Sequence, residues 1–158
     1  MRVGIGHDTH RLVDGRPLIL GGLRIEHPRG LAGHSDADVV CHAVADALLG
    51  AAALGDIGEH YPDTDPQWRD LDSARLLAEV VDRVAAQGYR PVNCDVIIHA
   101  QAPKLGPHKL TIRSNLARLL GLPDSAVNVK AKTGEGVGPV GRAEAIDCHA
   151  VVLIQERD

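Results

Sequence analysis

Asp8 and His10 stand two residues apart in Gly6-His7-Asp8-Thr9-His10, so on an extended strand their side chains leave the same face. His42 lies further on, in a run that reads as a helix able to pack against that face. One carboxylate and two imidazoles are a borderline donor set that suits zinc, and three protein ligands leave a fourth position open for substrate. An Asp-x-His pair alone is common, and each imidazole could equally be a surface or satisfied core residue. The stretch His34-Ser35-Asp36-Ala37-Asp38, just before the helix of His42, adds weight to the metal reading. Asp38 and His42 are four apart and share a helix face, so Asp38 is expected to orient the His42 ring. Ser35 and Asp38 also read as a capping pair, and the two roles can coexist.

Three further segments could contribute. Gly55-Asp56-Ile57-Gly58 with Tyr61-Pro62-Asp63-Thr64-Asp65 is an acidic loop able to hold polyol hydroxyls or cations, or simply to sit in solvent. Ala100-Gln101-Ala102-Pro103-Lys104-Leu105-Gly106 leads from a strand into a helix, whose free amides near Lys104 form a modest phosphate cradle. Lys132-Thr133-Gly134-Glu135-Gly136 follows a strand; it is neither a Walker A loop nor a dinucleotide fingerprint. Its close backbone, hydroxyl and carboxylate suit a diphosphate with a divalent cation, the plain alternative being a flexible turn.

These segments need elements to hold them. Residues 3–10 alternate as a strand, and 17–20 and 23–25 read as short strands about the Gly21-Gly22 turn. A first helix follows Ser35-Asp38 and ends near Gly55. Residues 58–70 carry too much Pro, Asp and Gly for regular structure. A second helix spans about 73–87, capped by Asp72, with Leu76, Leu77, Val80, Val81 and Val84 as its apolar stripe. Residues 92–99 and 127–132 alternate as strands, and Pro107 opens a third helix that Gly121 ends. The last strand, about 144–154, is apolar on both faces, as a central strand or one buried in an oligomer interface would be. Strands interleaved with helices, some joined by short turns, predict a single α+β domain over 1–158 with a mixed sheet and three main helices.

The chain is 158 residues long, enough to bury a core without disulfide or metal. Net charge is −4 and aromatics are scarce, with one Trp, two Tyr and no Phe. That excludes a general phosphate-seeking surface for nucleic acid and a stacking platform for single strands. No long apolar run or leader pattern is present, so a cytoplasmic, membrane-free location is expected. Cys41, Cys94 and Cys148 are read as reduced core residues. Nine histidines in so short a chain point to site chemistry.

Taken in order, the motifs resemble one family, the 2-C-methyl-D-erythritol 2,4-cyclodiphosphate synthases of the non-mevalonate isoprenoid pathway. The likeness rests on the Asp8/His10 and His34–Asp38 motifs, His42, Ala45-Asp46-Ala47-Leu48-Leu49-Gly50, Leu54 to Gly58, Tyr61 to Pro66, Ala102-Pro103-Lys104, Asn128 to Thr133 and Gly141-Arg142. It runs from end to end of the chain.

The resemblance implies a phosphorus-oxygen lyase acting on 4-diphosphocytidyl-2-C-methyl-D-erythritol 2-phosphate. The 2-phosphate attacks the β-phosphorus, closes a cyclic diphosphate and expels CMP. It also implies a homotrimer with sites between subunits. Asp8, His10 and His42 would hold zinc, and Glu135 a second divalent cation, magnesium or manganese. His34 and Thr133 would flank the transferred phosphoryl group. Ser35, Asp56 and Asp63, with Ile57, Gly58, Tyr61, Pro62, Thr64 and Asp65, would surround the methylerythritol phosphate. Ala100 to Gly106 and Ala131, Lys132, Thr133, Gly134 and Glu135 would form the cytidine side. Pro139 and Arg142 fall near the threefold axis, where an isoprenoid diphosphate or inorganic anion between Arg142 side chains, or an Arg142–carboxylate pair, would balance the charge. Two other readings fit the residues themselves: a zinc hydrolase with Asp56 as base, and a non-catalytic trimeric module binding isoprenoid diphosphates.

Overall fold

Strand β1 (Arg2–Asp14) shows how close the first helix must come. Its alternate residues Gly4 and Gly6 face that helix, while Val3 and Ile5 on the other side are 68% and 71% exposed. A Cβ on Gly4 would lie 1.9 Å from the Ala47 carbonyl oxygen, and one on Gly6 2.0 Å from that of Ala43. Only glycine therefore lets the helix backbone rest on the strand backbone. The same row continues through Asp8 to His10, so the contact that fixes the helix also brings His42 beside them.

The computed structural model describes residues 1–157. After β1 come β2 (Leu18–Leu20), β3 (Leu23–Ile25) and β4 (Arg29–Leu31), then α1 (Val39–Ala52), a one-turn α2 (Ile57–His60) and α3 (Ser73–Ala86). Next are β5 (Tyr89–His99), α4 (Lys109–Leu120), β6 (Val127–Lys132), a short α5 (Gly138–Gly141) and β7 (Ala145–Glu156). The main sheet runs β4-β1-β7-β5-β6, and β2 and β3 form a separate hairpin. Among the described residues only β5 and β6 pair in parallel, joined through α4; the other pairs are antiparallel. The α+β class and mixed sheet are as expected. Among the described residues no helix is long and apolar enough to cross a membrane.

Helix α1 lies against β1, β7 and β5, α3 against α1 and β5, and α4 against β6. The core between them includes Cys148, Ala150, Val152 and Ile154 of β7 with Cys94, Val96 and Ile98 of β5. The three cysteines are buried and unpaired. Burial pushes the Cys94 thiol up to about 12 and those of Cys41 and Cys148 well above their usual range, so none is a ready thiolate. Strand β7 is central in the sheet, but contrary to expectation only one of its faces is apolar throughout: Ile146, Cys148, Ala150, Val152 and Ile154 are buried, while Asp147, His149 and Gln155 interrupt the other row. Its outer face is uncovered by any helix, and Val151 there is 42% exposed.

Three further expectations need correction. Residues 58–70 are not wholly irregular: α2 and a 3₁₀ turn at Pro66–Trp68 form there, capped by the carboxylates of Asp56 and Asp65. The cap of α1 is Asp38, not Ser35. The last strand, expected from about 144, starts at Ala145, and Arg142 just before it terminates α5.

Candidate active site

Asp8 and His10 project from β1 and His42 from the first turns of α1. His10 Nε2 lies 2.8 Å and His42 Nδ1 3.0 Å from Asp8 Oδ2, and the two nitrogens are 3.3 Å apart. A tetrahedral ion with bonds of about 2.0–2.1 Å separates its ligands by about 3.3 Å, so this triangle needs only slight opening to take one.

The outer nitrogens say which atoms face inward. His10 Nδ1 donates to the Ala32 carbonyl at 2.6 Å, which leaves a lone pair on Nε2. His42 Nε2 lies 2.8 Å from Ser73 Oγ, and that hydroxyl is itself donated to Asp36 Oδ1. Ser73 must then accept from His42 Nε2–H, leaving the Nδ1 lone pair free. Two imidazole lone pairs and a carboxylate oxygen thus converge on one point, which is the chemistry of a cation site.

The charges agree. Burial disfavours ionised Asp8, yet hydrogen bonds and attraction from His10 and His42 outweigh it and hold the carboxyl well below its usual range. Burial likewise disfavours charged His10, and Asp8 overrides it, raising the imidazole.

Ser73 is fully buried, and its own N–H also donates to Asp36. The sequence pattern marked Ser73 only as the start of a helix. Ser73→Ala is expected to weaken metal binding about tenfold, the low end for loss of a ligand-orienting partner, because Ser35 Oγ at 3.3 Å can replace it poorly. Competition with a chromophoric chelator measures this; unchanged affinity would remove the role.

Asp38 does not touch the His42 ring, contrary to expectation. It is fully buried and accepts from the N–H groups of Gly21, Gly22, Val40 and Cys41. Burial raises its carboxyl, and these amides oppose the rise. Its work is to tie the β2–β3 turn to the start of α1. Asp46 is a similar anchor that no local sequence pattern announces: it accepts from Ile57 N–H at 2.8 Å and so hangs α2 from α1.

The three donors open into a cavity of about 440 Å³, which His34, Ser35, Ile57, Gly58, Tyr61, Pro62 and Asp63 also line. His34 Nε2 lies 3.3 Å from the Asp65 carbonyl oxygen, and Trp68 packs edge-on against Tyr61. Asp56, Thr64 and Asp65 do not line the cavity. Asp56 accepts from Glu59 N–H and Asp65 from Gln67 N–H, so both shape the loop instead.

The remaining candidates form a second group. Ala100 N–H donates to the Lys132 carbonyl at 2.9 Å, which aligns the chain leaving β5 with that leaving β6. Thr133 Oγ1 donates to Glu135 Oε1 at 2.7 Å. The turn is compact: a Cβ on Gly134 would lie 2.4 Å from the Gly141 nitrogen. Neither 100–106 nor 131–135 lines the cavity of the metal triad. Pro139 lines a separate recess with Thr9, Arg11 and Glu144. Arg142 forks onto Glu144 at 2.9 and 3.0 Å, the ion-pair alternative foreseen for it, and both side chains are exposed.

Known proteins resemble this one closely. The model of the YgbB family matches residues 1–155. A protein of Salinibacter ruber named 2-C-methyl-D-erythritol 2,4-cyclodiphosphate synthase is 59% identical over 155 residues, 98% of this chain and 99% of that relative. A solved synthase of the same name in a CDP-bound form superposes with a TM-score of 0.90 at 42% identity, over 98% of this chain and 100% of that one. The bifunctional IspDF of Campylobacter jejuni superposes with a TM-score of 0.96 at 42% identity; it covers 99% of this chain, which spans 42% of that longer protein.

Proposed function

The chain belongs to the YgbB family, and from that premise we propose that it is a phosphorus-oxygen lyase, working as one domain over 1–158. It converts 4-diphosphocytidyl-2-C-methyl-D-erythritol 2-phosphate to 2-C-methyl-D-erythritol 2,4-cyclodiphosphate and CMP, the activity for which its relatives are named. The observation that carries this reading is the three-donor centre opening into a cavity also lined by His34, Ser35 and Asp63.

An oxygen of the 2-phosphate bonds to the β-phosphorus, and the bond from that phosphorus to the α–β bridging oxygen breaks. The bridging oxygen leaves with CMP. Both partners are anionic, and a protein of net charge −4 offers no general relief of their repulsion. Zinc held by Asp8, His10 and His42, and a second divalent cation, magnesium or manganese, held by Glu135, supply local neutralisation of the diphosphate when bound.

The side chains supply position. His34 and Thr133 flank the transferred phosphoryl group, and Ser35 and Asp63 hold the methylerythritol phosphate. Asp56 acts through the turn it caps, which presents Ile57 and Gly58 to the cavity. Residues 100–106 and 131–135 take the cytidine and its diphosphate. Because the attack is intramolecular, holding both phosphates in line contributes more than any side-chain nucleophile could.

One chain's cavity lacks the second group, so the active assembly is a homotrimer in which a neighbouring copy brings residues 100–106 and 131–135 to the metal centre. The open sheet face with Val3, Ile5 and Val151 provides the apolar surface for that contact. A cytoplasmic enzyme of small-molecule metabolism fits this picture. The hydrolase alternative is weakened because Asp56, its proposed base, is not in the cavity. Turnover in ¹⁸O-labelled water tests the choice: cyclisation leaves both CMP and the cyclic product unlabelled. One solvent oxygen in either product would establish hydrolysis and end this reading.

A further inference from the structure

The outer face of the sheet carries a second cluster of ligating side chains, set by strand register. His7 on β1 is directly opposite His149 on β7, and in the next row Asp147 of β7 lies between Thr9 and His99. All point away from the helices, on the side of the sheet opposite Asp8, His10 and His42. The His7 and His149 rings are 4.4 Å apart, and the His99 ring is edge-on to His149 at 5.6 Å. Ligand atoms of His7, Asp147 and His149 lie within 4.8 Å of one another. Asp147 Oδ1 is 2.7 Å from His99 Nδ1, but no aligned hydrogen bond joins them, and both atoms are buried without another partner.

We propose that His7, Asp147 and His149 form a second metal site, taking a divalent transition ion such as zinc, with His99 positioning the carboxylate. The donors match this assignment: two imidazoles and one carboxylate are borderline ligands that prefer zinc, nickel or copper to calcium or magnesium. The placement matches it too. The three come from adjacent strands of one sheet, so their backbones are already fixed and little ordering is needed on binding. His99 against the carboxylate oxygen is the kind of outer contact that sets a ligand's orientation. The site is distinct from the first centre, because none of its residues lines that cavity. It shares the open sheet face with the contact proposed between copies, so the variants that test it are the similarly sized His7→Gln and His149→Gln changes, which keep that packing.

Equilibrium dialysis of the assembled protein against buffered zinc, followed by metal analysis, tests it. Wild type should bind two equivalents per chain. His149→Gln and His7→Gln should each bind one, with turnover preserved, while His42→Ala should keep one and lose turnover. The ¹⁵N ring resonances of His7 and His149 should shift on zinc addition to His42→Ala, a readout independent of activity and of total count. The first equivalent retained by the outer-face variants shows that they fold. A single equivalent in wild type, or a second equivalent that survives in the His7→Gln/His149→Gln double variant, would overturn the assignment.

Discussion

His42→Ala is expected to lower turnover at least about a thousandfold while the chain still folds. The substitution removes one corner of the triangle around Asp8 Oδ2 and leaves two donors, too few for a tetrahedral centre with an open position. Metal neutralisation of a reacting phosphate supplies several kcal/mol of transition-state stabilisation, and each 1.36 kcal/mol is about tenfold in rate. The fold should survive because α1 is held by its backbone contact with Gly4 and Gly6 and by its Asp38 cap, neither of which needs the imidazole. Steady-state CMP release and metal analysis measure both parts. Near-normal turnover with unchanged metal content would remove the centre from the mechanism.

Much of that centre is legible in the sequence, for a physical reason. Asp-x-His on a strand places two donors on one face by the two-residue period alone, and the helical run after Asp38 supplies the third. What lies around the centre is less legible. Ser73 reaches His42 across 31 positions, and no local pattern announces such a contact. Helix spacing pairs Asp38 with His42, but a cap residue spends its carboxylate on the backbone amides that the helix start leaves unpaired.

The alternation of β1 indicates a strand but not which side is inside. Val3 and Ile5 look like core residues, yet the glycine row is the buried one because the helix needs the space. The loop around residues 58–70 looked irregular because its order comes from single carboxylate caps rather than from periodicity. The separation of the two groups of candidate residues is invisible in sequence, where every motif simply follows the last.

That separation leads to the second large effect. Thr133→Ala is expected to cost at least about a hundredfold in turnover, the scale for loss of one group that stabilises transition-state charge. It should leave metal binding by Asp8, His10 and His42 intact, since Thr133 bonds only within its own turn. His42→Ala and Thr133→Ala therefore damage different halves of the site, and each is expected to be nearly inactive alone.

Co-expression of these two variants in equal amounts tests the composite site most directly. If each site joins the metal centre of one copy to the Thr133 turn of its neighbour, random mixing restores about a quarter of the sites, and CMP release returns to about a quarter of wild type. If all the catalytic groups act within one chain, no mixture contains an intact site. Activity of the mixed protein no higher than that of the two variants alone would contradict the shared site.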